Sequence, residues 1–570
     1  MGRLLAARKG TVLAIVALQL VQTTANLLLP TLNAAIVDDG IVNGNVPAIQ
    51  RLGSWMIAVS VVQVAAAATA GYLGAIVAME MGGQLREELF TKVQSLSSQE
   101  VGAFGAASLV TRATNDVAQI QNLAVLVFTM LLAAPAIFIG GIVLALQQDI
   151  ALSGIVVAVI PVLAVIMFLI VRRLVPLYRQ GQEHIDRISR MLREQIIGAN
   201  VIRGFVRQGH EIRRFDGANR DLTQNNLSSA LLVAGMMPLI MLVVNLSSVA
   251  VVWFGGHRIQ SGEMRLGALT AFIAYILQIL IAIMMAMYVF MTAPRAAACA
   301  ERVQAVLDTV PAITDGPDGA APAGNGVQFR NVSFAYPGAE APVLDGLTFT
   351  AVPGTVTAVI GATGSGKSTL LNLLPRFLAA TGGEISIGGR DVRSLPLGTL
   401  RSLVAVVPQH SYLFSGTLAE NLRMAAPAAT DGELWRILGV AQAEPFVRDL
   451  PRGLDAPVSQ GGTNFSGGQR QRLCIARALL RKAPVYLFDD SFSALDYETD
   501  RRLRAAAAPL LAGATVVIVA ERVASIVDAG LILVLEDGRL VAQGTHHQLM
   551  ESSPSYREIA ASQLVLEETL

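Results

Sequence analysis

The sequence is poor in residues that build covalent or metal-bound frameworks. Only two cysteines occur in 570 residues, Cys299 and Cys474, and neither has a second cysteine or a histidine at metal-ligand spacing. The pattern therefore indicates neither a disulfide scaffold nor a structural zinc site as the basis of the fold.

Charged residues are also scarce. They make up 15% of the chain and nearly cancel, to a formal net charge of +1, whereas 53% of the residues are hydrophobic. Because no basic field marks the chain as a whole, we predict no nucleic-acid partner. A composition this apolar, in a chain too long for one domain, indicates that part of the protein lies in lipid.

Long apolar stretches recur in the first half of the chain. A helix needs about 20 residues to cross a bilayer, and stretches of that length fall at 11–36, 54–79, 121–147, 150–175, 229–255 and 267–293. The first is too long for the apolar core of a signal peptide, so we predict that it is a retained span. An even number of spans brings both ends of the chain to the same side of the membrane.

The arginines predict which side that is. Ten of them lie between Arg172 and Arg214, after the fourth span, whereas the loop at 147–149 carries no basic residue. By the positive-inside rule, the arginine-rich segment and both termini are cytoplasmic. Segments 80–120 and 176–228 are expected to be helical extensions beyond the membrane. A bias toward arginine, alanine and glycine favours a bacterial source, and hence a multi-pass protein of the bacterial plasma (inner) membrane.

The composition changes after the sixth span. Residues 311–326 are rich in proline, glycine, alanine and aspartate, and from Val327 onward short β-branched runs alternate with helical stretches. That alternation predicts a parallel-sheet α/β domain. The predicted organisation is an all-α transmembrane domain with cytoplasmic coupling segments at 1–310, a linker at 311–326 and an α/β domain at 327–570.

A complete phosphate-binding loop lies near the start of the second domain. The apolar strand 356–360 runs into GATGSGKS and then into the helical stretch 368–374. Glycines let the backbone approach phosphates, Lys367 reaches the β- and γ-phosphates, and Ser368 is a Mg²⁺ ligand. The predicted ligands are ATP and Mg²⁺, held by Gly361, Ala362, Thr363, Gly364, Ser365, Gly366, Lys367, Ser368 and Thr369.

Three further motifs accompany this loop. A second apolar strand ends at Asp489, a carboxylate suited to Mg²⁺, and it is preceded by NFSGGQ at 464–469 and followed by SALD at 493–496. Together the motifs resemble the ATP-binding cassette of ABC transporters, and the six spans resemble an exporter-type half. The resemblance covers essentially the whole chain, and it implies a P-loop NTPase cassette that couples ATP hydrolysis to membrane transport.

The resemblance also implies roles for single residues. Tyr336 would stack on adenine, and Gln409 would reach Mg²⁺ and the attacking water, which gives the metal set Ser368, Gln409 and Asp489. Asp496 would act across the interface between two cassettes. Segments 111–117 and 205–215 resemble the coupling segments that press into the cassettes. The signature that closes on ATP held by the other half would be Ser466, Gly467, Gly468 and Gln469.

Two residues depart from the pattern of the family. Most cassettes carry a glutamate as general base directly after the strand-end aspartate, but here that position is Asp490, which is one methylene shorter. Glu521 occupies the place of a histidine that donates to the γ-phosphate, and an ionised carboxylate repels phosphate there. Gln460 is a milder change from a frequent glutamate. We therefore expect the catalytic set Asp490, Gln409 and Glu521 to bind ATP but hydrolyse it slowly.

This combination is similar to the degenerate-site half of heterodimeric bacterial multidrug-type exporters. It predicts a second, different half-transporter as partner, with hydrolysis mainly at the site that the partner completes. An importer built on the same architecture, for a siderophore or a lipid, is an alternative. A regulatory membrane subunit that binds ATP without pumping is another.

The spans give one indication of the cargo. Gln19, Gln22, Asn26 and Asn33 fall on one face of the first span, where they either line a pathway or form hydrogen bonds between helices. Intramembrane charges usually mark ion pathways, and the central section of this span has none. The expected cargo is an amphipathic or lipid-like compound in contact with membrane lipid.

Overall fold

The computed structural model describes residues 8–317 and 322–567. It consists of two compact units, the first comprising Met1–Thr91 and Val110–Asp308 and the second Lys92–Leu109 and Thr309–Leu570. Residues 318–321 of the predicted linker, and both chain ends of the predicted domains, lie outside the described residues. Residues 92–109, which the sequence places in the transmembrane domain, fold with the second unit.

Ten helices precede the first strand in the described residues. They are α1 (Lys9–Ala35), α2 (Val46–Ser95), α3 (Ser98–Phe104), α4 (Ala106–Thr111), α5 (Val117–Leu126), α6 (Ala133–Gln148), α7 (Ile150–Ile197), α8 (Ala199–Gly204), α9 (Gln208–Gln260) and α10 (Leu266–Leu307). Wider π-helical turns at Ile36–Ile41, Arg112–Asp116 and Val127–Leu131 extend α1, join α4 to α5, and join α5 to α6.

Six helical runs are long and apolar enough to cross a membrane. Each contains one of the predicted stretches, so the six predicted spans are confirmed, as is the helical continuation of α2, α7 and α9 beyond those stretches. The runs are Lys9–Ile41, Val46–Ser95, Ala106–Gln148, Ile150–Ile197, Gln208–Gln260 and Leu266–Leu307.

Helix α10 is the most buried of these runs and packs against α1, α5 and α6. Its Phe272 and Tyr275 side chains are fully buried. Large apolar side chains on the other runs, such as Ile57 and Phe168, are exposed. In lipid such side chains need no protein cover, so a thin protein core is sufficient for this unit.

The second unit is built on a mixed sheet in the strand order β12-β11-β3-β10-β9-β6. Neighbouring strands from β11 to β6 run parallel, and β12 is antiparallel at the edge. A smaller antiparallel sheet has the order β2-β1-β4-β5. The strands are β1 (Val327–Phe334), β2 (Leu344–Ala351), β3 (Val356–Gly361), β4 (Gly382–Ile387), β5 (Arg390–Asp391), β6 (Val404–Val407), β7 (Gly416–Thr417), β8 (Pro457–Val458), β9 (Val485–Asp489), β10 (Thr515–Val519), β11 (Leu531–Glu536) and β12 (Arg539–Gly544).

Helices cover this sheet, and every residue of β9 and β10 is buried, as expected for parallel strands covered on both faces. The predicted α/β fold class is therefore confirmed. The helices are α11 (Lys367–Leu373), α12 (Leu397–Leu403), α13 (Leu418–Arg423), α14 (Asp431–Val440), α15 (Glu444–Arg448), α16 (Gly467–Leu480), α17 (Tyr497–Leu511), α18 (His546–Ser552) and α19 (Pro554–Glu567).

A bidentate ion pair fastens the third run to α10 in the first unit. Arg302 Nε and Nη2 donate to the two carboxylate oxygens of Asp116 at 2.8 and 2.7 Å. Arg112 Nη1 also donates to the Arg302 carbonyl oxygen at 2.9 Å. Asp116 is 3% exposed, so its charge depends on this partner.

We predict that Arg302→Leu lowers the free energy of unfolding by about 1–3 kcal/mol, because it leaves a buried carboxylate without its cation. The matched control is Arg187→Leu, which removes a pair at 3.7 Å whose two side chains are more than half exposed, and it should cost less than about 0.5 kcal/mol. Equilibrium unfolding in mixed micelles measures both. Equal losses from the two variants would contradict the role given to Asp116.

Candidate functional site

The phosphate-binding loop joins β3 to α11 at the centre of the parallel sheet. Gly364 and Gly366 have φ of 88° and 94°, a left-handed backbone that favours glycine. A Cβ on Gly366 would also lie 2.5 Å from the Leu344 side chain. The first N–H groups of α11 have no acceptor within the helix, and the Ser365 hydroxyl is buried with no partner among the described residues. The loop therefore offers donors suited to phosphate oxygens.

Lys367 lies across this loop. Its Nζ donates to the carbonyl oxygens of Gly361 and Ala362, each at 2.8 Å. Burial lowers the pKa of Lys367, and the nearby carboxylates of Glu521, Asp490 and Asp489 oppose that shift. The ammonium is thus held among the groups that the sequence assigned to ATP.

Ser368 and Asp489 form the predicted metal pair. The Ser368 hydroxyl donates to Asp489 Oδ1 at 2.9 Å, which connects the first turn of α11 to the end of β9. Burial raises the pKa of Asp489, and the bond from Ser368 and the charge of Lys367 lower it. A hydroxyl beside a carboxylate is a donor set that fits Mg²⁺.

Asp490 has a left-handed backbone, with φ of 45°. Its N–H donates to the Val519 carbonyl oxygen at 3.1 Å, and its carbonyl oxygen accepts from the side chains of Gln471 at 3.2 Å and Ser493 at 3.0 Å. Burial raises the pKa of the Asp490 carboxyl, aided by the charges of Glu521 and Asp489, and side-chain hydrogen bonds from Ser493 and Gln409 oppose the rise. The residue is therefore fixed at a strained position between β9 and β10.

Gln409 and Glu521 reach the same edge of the sheet from β6 and β10. Strand β6 pairs with β9 in parallel, so Gln409, two residues beyond it, meets Asp490. Glu521 is exposed, and its charge acts on two neighbours. It opposes the lowering of the Lys367 pKa by burial, and it adds to the rise in the Asp490 pKa. The structure thus brings the predicted catalytic residues together around Lys367.

A glutamine that the sequence reasoning missed holds the Glu521 loop. The Gln563 side chain, on α19, accepts from the Val523 N–H and donates to the Glu521 carbonyl oxygen, both at 2.7 Å. Gln563 lies 42 residues beyond Glu521 and 40 beyond Val523 in the chain, and it belongs to no motif. No sequence signal available to us could have found it.

Tyr336 is connected to the phosphate-binding loop through two other side chains. Its ring contacts Phe334 edge to face, with centroids 4.8 Å apart. Phe334 pairs with Leu344 across β1 and β2, and Leu344 is the side chain that touches Gly366. The ring is 42% exposed, which leaves it accessible to a base; adenine stacking remains a prediction.

The signature forms the start of α16. Ser466 caps the helix and exchanges hydrogen bonds with Gln469, with Ser466 Oγ accepting at 3.3 Å and Gln469 Oε1 at 2.9 Å. A Cβ on Gly468 would meet the Ala494 carbonyl oxygen at 3.1 Å, so Gly468 packs closely on the 493–496 motif. None of the hydrogen bonds seen among the described residues joins the signature to the phosphate-binding loop.

Asp496 caps α17 through a bond from the Thr499 N–H at 2.9 Å, which lowers the pKa of its carboxyl. The sequence also assigns Asp496 a role across the interface between two cassettes. That role remains a prediction.

The first expected coupling segment, 111–117, makes contacts within the first unit, and coupling through it remains a prediction. In segment 111–117, Arg112 and Asp116 are occupied by Arg302 within the first unit. Within the second unit, Ser98 Oγ donates to the Phe377 carbonyl oxygen at 3.1 Å, and Glu100 Oε1 accepts from the Ala312 N–H at 2.7 Å. Residues 98–100 thus make contacts within the second unit.

The second expected coupling segment, 205–215, follows the short helix α8. Its Phe205 and Val206 side chains are 74% and 80% exposed. Two adjacent exposed apolar side chains are consistent with a contact surface, and coupling through this segment remains a prediction.

Comparison with known proteins agrees with these motifs. Residues 12–284 match the ABC transporter transmembrane region, and residues 344–493 match the ABC transporter model. An ABC transporter ATP-binding protein of Mycobacterium tuberculosis is 44% identical over 553 residues, covering 96% of this chain and 94% of its own. The chain belongs to the ABC transporter family. It binds ATP and is a multi-pass membrane half-transporter that uses ATP hydrolysis to drive transport.

Two further relatives of this ABC transporter extend the comparison. The ATP-dependent lipid A-core flippase of Chromobacterium violaceum is 31% identical, covering 93% of this chain and 90% of its own. The structure of a bacterial Atm1-family ABC exporter with ATP bound has a TM-score of 0.80, 23% identity and coverage of 98% and 99%. At that identity the likeness shows a shared exporter fold.

We predict that Lys367→Met weakens binding of Mg-ATP at least about tenfold, because it removes a charge-assisted contact to phosphate. Lys482→Met is the matched control, since it makes the same substitution at a side chain that is 66% exposed on the surface. Equilibrium binding of a fluorescent ATP analogue to the lipid-embedded chain measures both. Equal affinities for the two variants would remove Lys367 from the site.

A second prediction concerns pH. If Asp490 must be ionised to act, ATPase activity falls as the pH drops through the pKa of its carboxyl group. Because that pKa is raised in the folded protein, this fall in activity, the acid limb of the pH profile, lies at higher pH than for an ordinary aspartate. Because the charge of Glu521 contributes to that rise, Glu521→Gln should move the acid limb to lower pH. Glu384→Gln, an exposed carboxylate paired only weakly with Arg330 at 3.9 Å, should leave it unchanged. Identical acid limbs in the unsubstituted protein and the two variants would contradict the interaction between Glu521 and Asp490.

Proposed function

We propose that this ABC transporter exports or flips an amphipathic or lipid-like compound, as the degenerate-site half of a heterodimer. Its own phosphate-binding loop holds Mg-ATP and turns it over slowly. Its signature completes the site of a different half, where most of the hydrolysis takes place. The observation that carries the proposal is the placement of Asp490 and Glu521 together beside Lys367.

The length of its side chain, rather than its basicity, limits Asp490 as a general base. A raised pKa makes a carboxylate a better base, but a general base must first be within hydrogen-bond distance of its water, and Asp490 is one methylene short of the usual residue. Its strained backbone is fixed by bonds to Val519, Gln471 and Ser493, so the loop cannot easily extend to compensate. Glu521 adds a carboxylate where charge develops on phosphate oxygens.

The signature supports the second part of the proposal. Ser466 and Gln469 already form a complete capping box, and Ser466 and Gly467 are exposed at the start of α16. A preformed and exposed helix N-terminus is suited to the phosphates of ATP bound elsewhere. A chain with a weak site of its own and an intact signature is most useful beside a partner with a strong site.

Separate observations support the proposed cargo and orientation. A relative is named as a lipid A-core flippase, and the described helical runs are apolar enough to cross a membrane. The arginine-rich stretch after the fourth span supports cytoplasmic termini in a bacterial inner membrane. Gln19 and Asn26 bond to other helices, which favours packing over pathway lining for those two residues.

One observation also favours the alternative of a regulatory membrane subunit, since Asp490 and Glu521 would suit a subunit that binds ATP without pumping. Measurement of turnover in the pair separates the two readings. The importer reading has no structural observation that favours it.

The chain purified by itself in lipid should release phosphate slowly, because every site in a homodimer would carry both departures. Asp490→Glu combined with Glu521→His should raise turnover by about 10²-fold or more, since the pair restores a base within reach and a donor to phosphate. Adding Ser466→Arg to that double variant should abolish the gain, because the arginine would obstruct the site that the signature completes.

In the co-purified pair, Asp490→Asn should change turnover only a few-fold, whereas Ser466→Arg should abolish it. The assay is phosphate release at saturating Mg-ATP, with nucleotide binding checked separately. Turnover by the unpaired chain that matches the pair, or equal damage from the two variants, would overturn the heterodimer. A pair in which Ser466→Arg also leaves turnover unchanged would favour the regulatory subunit.

A further inference from the structure

A short loop at residues 521–523 leads from strand β10 into a 3₁₀ turn at Val523–Ser525. The Glu521 side chain in this loop is exposed, and none of the hydrogen bonds or ion pairs seen among the described residues involves its carboxylate. Its charge nevertheless acts on Lys367 and Asp490. Because the side chain itself is not held, the position of this charge depends on the backbone of the loop.

Gln563 supplies the hydrogen bonds that tie this backbone to the rest of the second unit. Its amide oxygen accepts from the Val523 N–H, and its amide nitrogen donates to the Glu521 carbonyl oxygen, both at 2.7 Å. A backbone N–H can only donate and a carbonyl oxygen can only accept, so the two bonds fix the orientation of the amide. In the described part of the chain, no other hydrogen bond joins residues 521–523 to a different helix or strand.

Helix α19 presents Gln563 from its packed face. Tyr556 and Ala560 are buried, and the spacing of 556, 560 and 563 places all three side chains on one side of the helix. Tyr556 and Ala560 belong to the same buried cluster as Val523. The Tyr556 hydroxyl also forms a hydrogen bond with His546 Nδ1 at 2.8 Å. The helix is therefore fixed on the unit in the two turns before Gln563.

We propose that Gln563 is a positioning residue that keeps Glu521 beside the phosphate-binding loop, so that this chain binds ATP less tightly, relative to ADP, than it would without the bridge. The inference rests on the proposed function, because it takes Glu521 to stand where the γ-phosphate is bound. An ionised carboxylate repels phosphate oxygens at that place. ADP has no γ-phosphate and escapes most of the repulsion.

The repulsion requires that Glu521 stay in place. Without the two bonds from Gln563, the loop can move, and an exposed carboxylate is then free to turn toward water, where the dielectric constant and salt weaken its interaction with phosphate. A merely structural role for Gln563 has a different consequence. Loss of a structural support would affect ATP and ADP alike, whichever residue stands at position 521.

The test is a double-mutant cycle between positions 563 and 521. Affinities of the lipid-embedded chain for Mg-ADP and for a non-hydrolysable Mg-ATP analogue are measured by competition against a fluorescent nucleotide. The proteins are the unsubstituted chain, Gln563→Leu, Glu521→Gln and the combination of the two. Ser555→Ala is the matched control, since it removes a different hydrogen bond of α19, the one that Ser555 Oγ donates to Glu536 at 3.2 Å.

Glu521→Gln should raise the affinity for the ATP analogue about 3- to 10-fold, because it removes one like charge near phosphate, and should change the affinity for ADP less than about twofold. Gln563→Leu should act in the same direction, by about 2- to 5-fold for the ATP analogue. In the Glu521→Gln background its effect should fall below about 1.5-fold, because no charge is left to position. Ser555→Ala should change neither affinity.

Gln563→Met, which removes the amide and keeps a flexible side chain of similar length, is the second variant if Gln563→Leu does not fold. If Glu521→Gln raises the affinity for the ATP analogue and neither variant of Gln563 does, the positioning role is wrong and the proposed function is unaffected. Equal effects of Gln563→Leu in the two backgrounds, or on the two nucleotides, would also overturn it. If Glu521→Gln leaves the preference between ATP and ADP unchanged, the inference fails together with the place that the proposed function gives to Glu521.

Discussion

The membrane half of this transporter depends on one constraint, that lipid offers no hydrogen bonds to the backbone. Every carbonyl that a helix leaves unpaired must find a donor inside the protein. Long helices meet most of that demand. Gln19 donates to the Phe128 carbonyl oxygen in a π-helical turn, and Gln278 donates to the Asn26 carbonyl oxygen, which Pro30 leaves without a donor in its own helix. The polar residues of the spans are therefore best understood by first asking which backbone groups they satisfy.

The nucleotide site depends on a different constraint, the common direction of parallel strands. Strands β3, β6, β9 and β10 end along one edge of the sheet, and the phosphate-binding loop, Gln409, Asp490 and Glu521 each follow one of them. Residues up to 160 positions apart in the chain thereby lie close enough for their charges to interact. The same arrangement brings the two departures from the family pattern, Asp490 and Glu521, to one site.

Much of this could be predicted from the sequence, since apolar length and glycine spacing reflect local physics. The six spans and the phosphate-binding loop were accessible for that reason, whereas the grouping of Asp489, Asp490 and Glu521 was implied by the resemblance to the family. Contacts set by tertiary packing were not. Gln563 lies on a helix without a motif, and the ion pair that engages Asp116 depends on Arg302, 186 residues later. The contacts that Ser98 and Glu100 make within the second unit were likewise not predicted, and coupling through segment 111–117 stays a prediction.

The membership of residues 92–109 in the second unit has a consequence for biosynthesis. Residues 110–308 are in effect inserted into that unit, so the ribosome completes four membrane spans between its first piece and its remainder. Until then Glu100 has no Ala312 to bind and Ser98 no Phe377. The early piece therefore lacks these two contacts while the spans enter the membrane, and incompletely packed pieces of this kind are prone to aggregation. A cassette produced without it would lack these contacts from the outset.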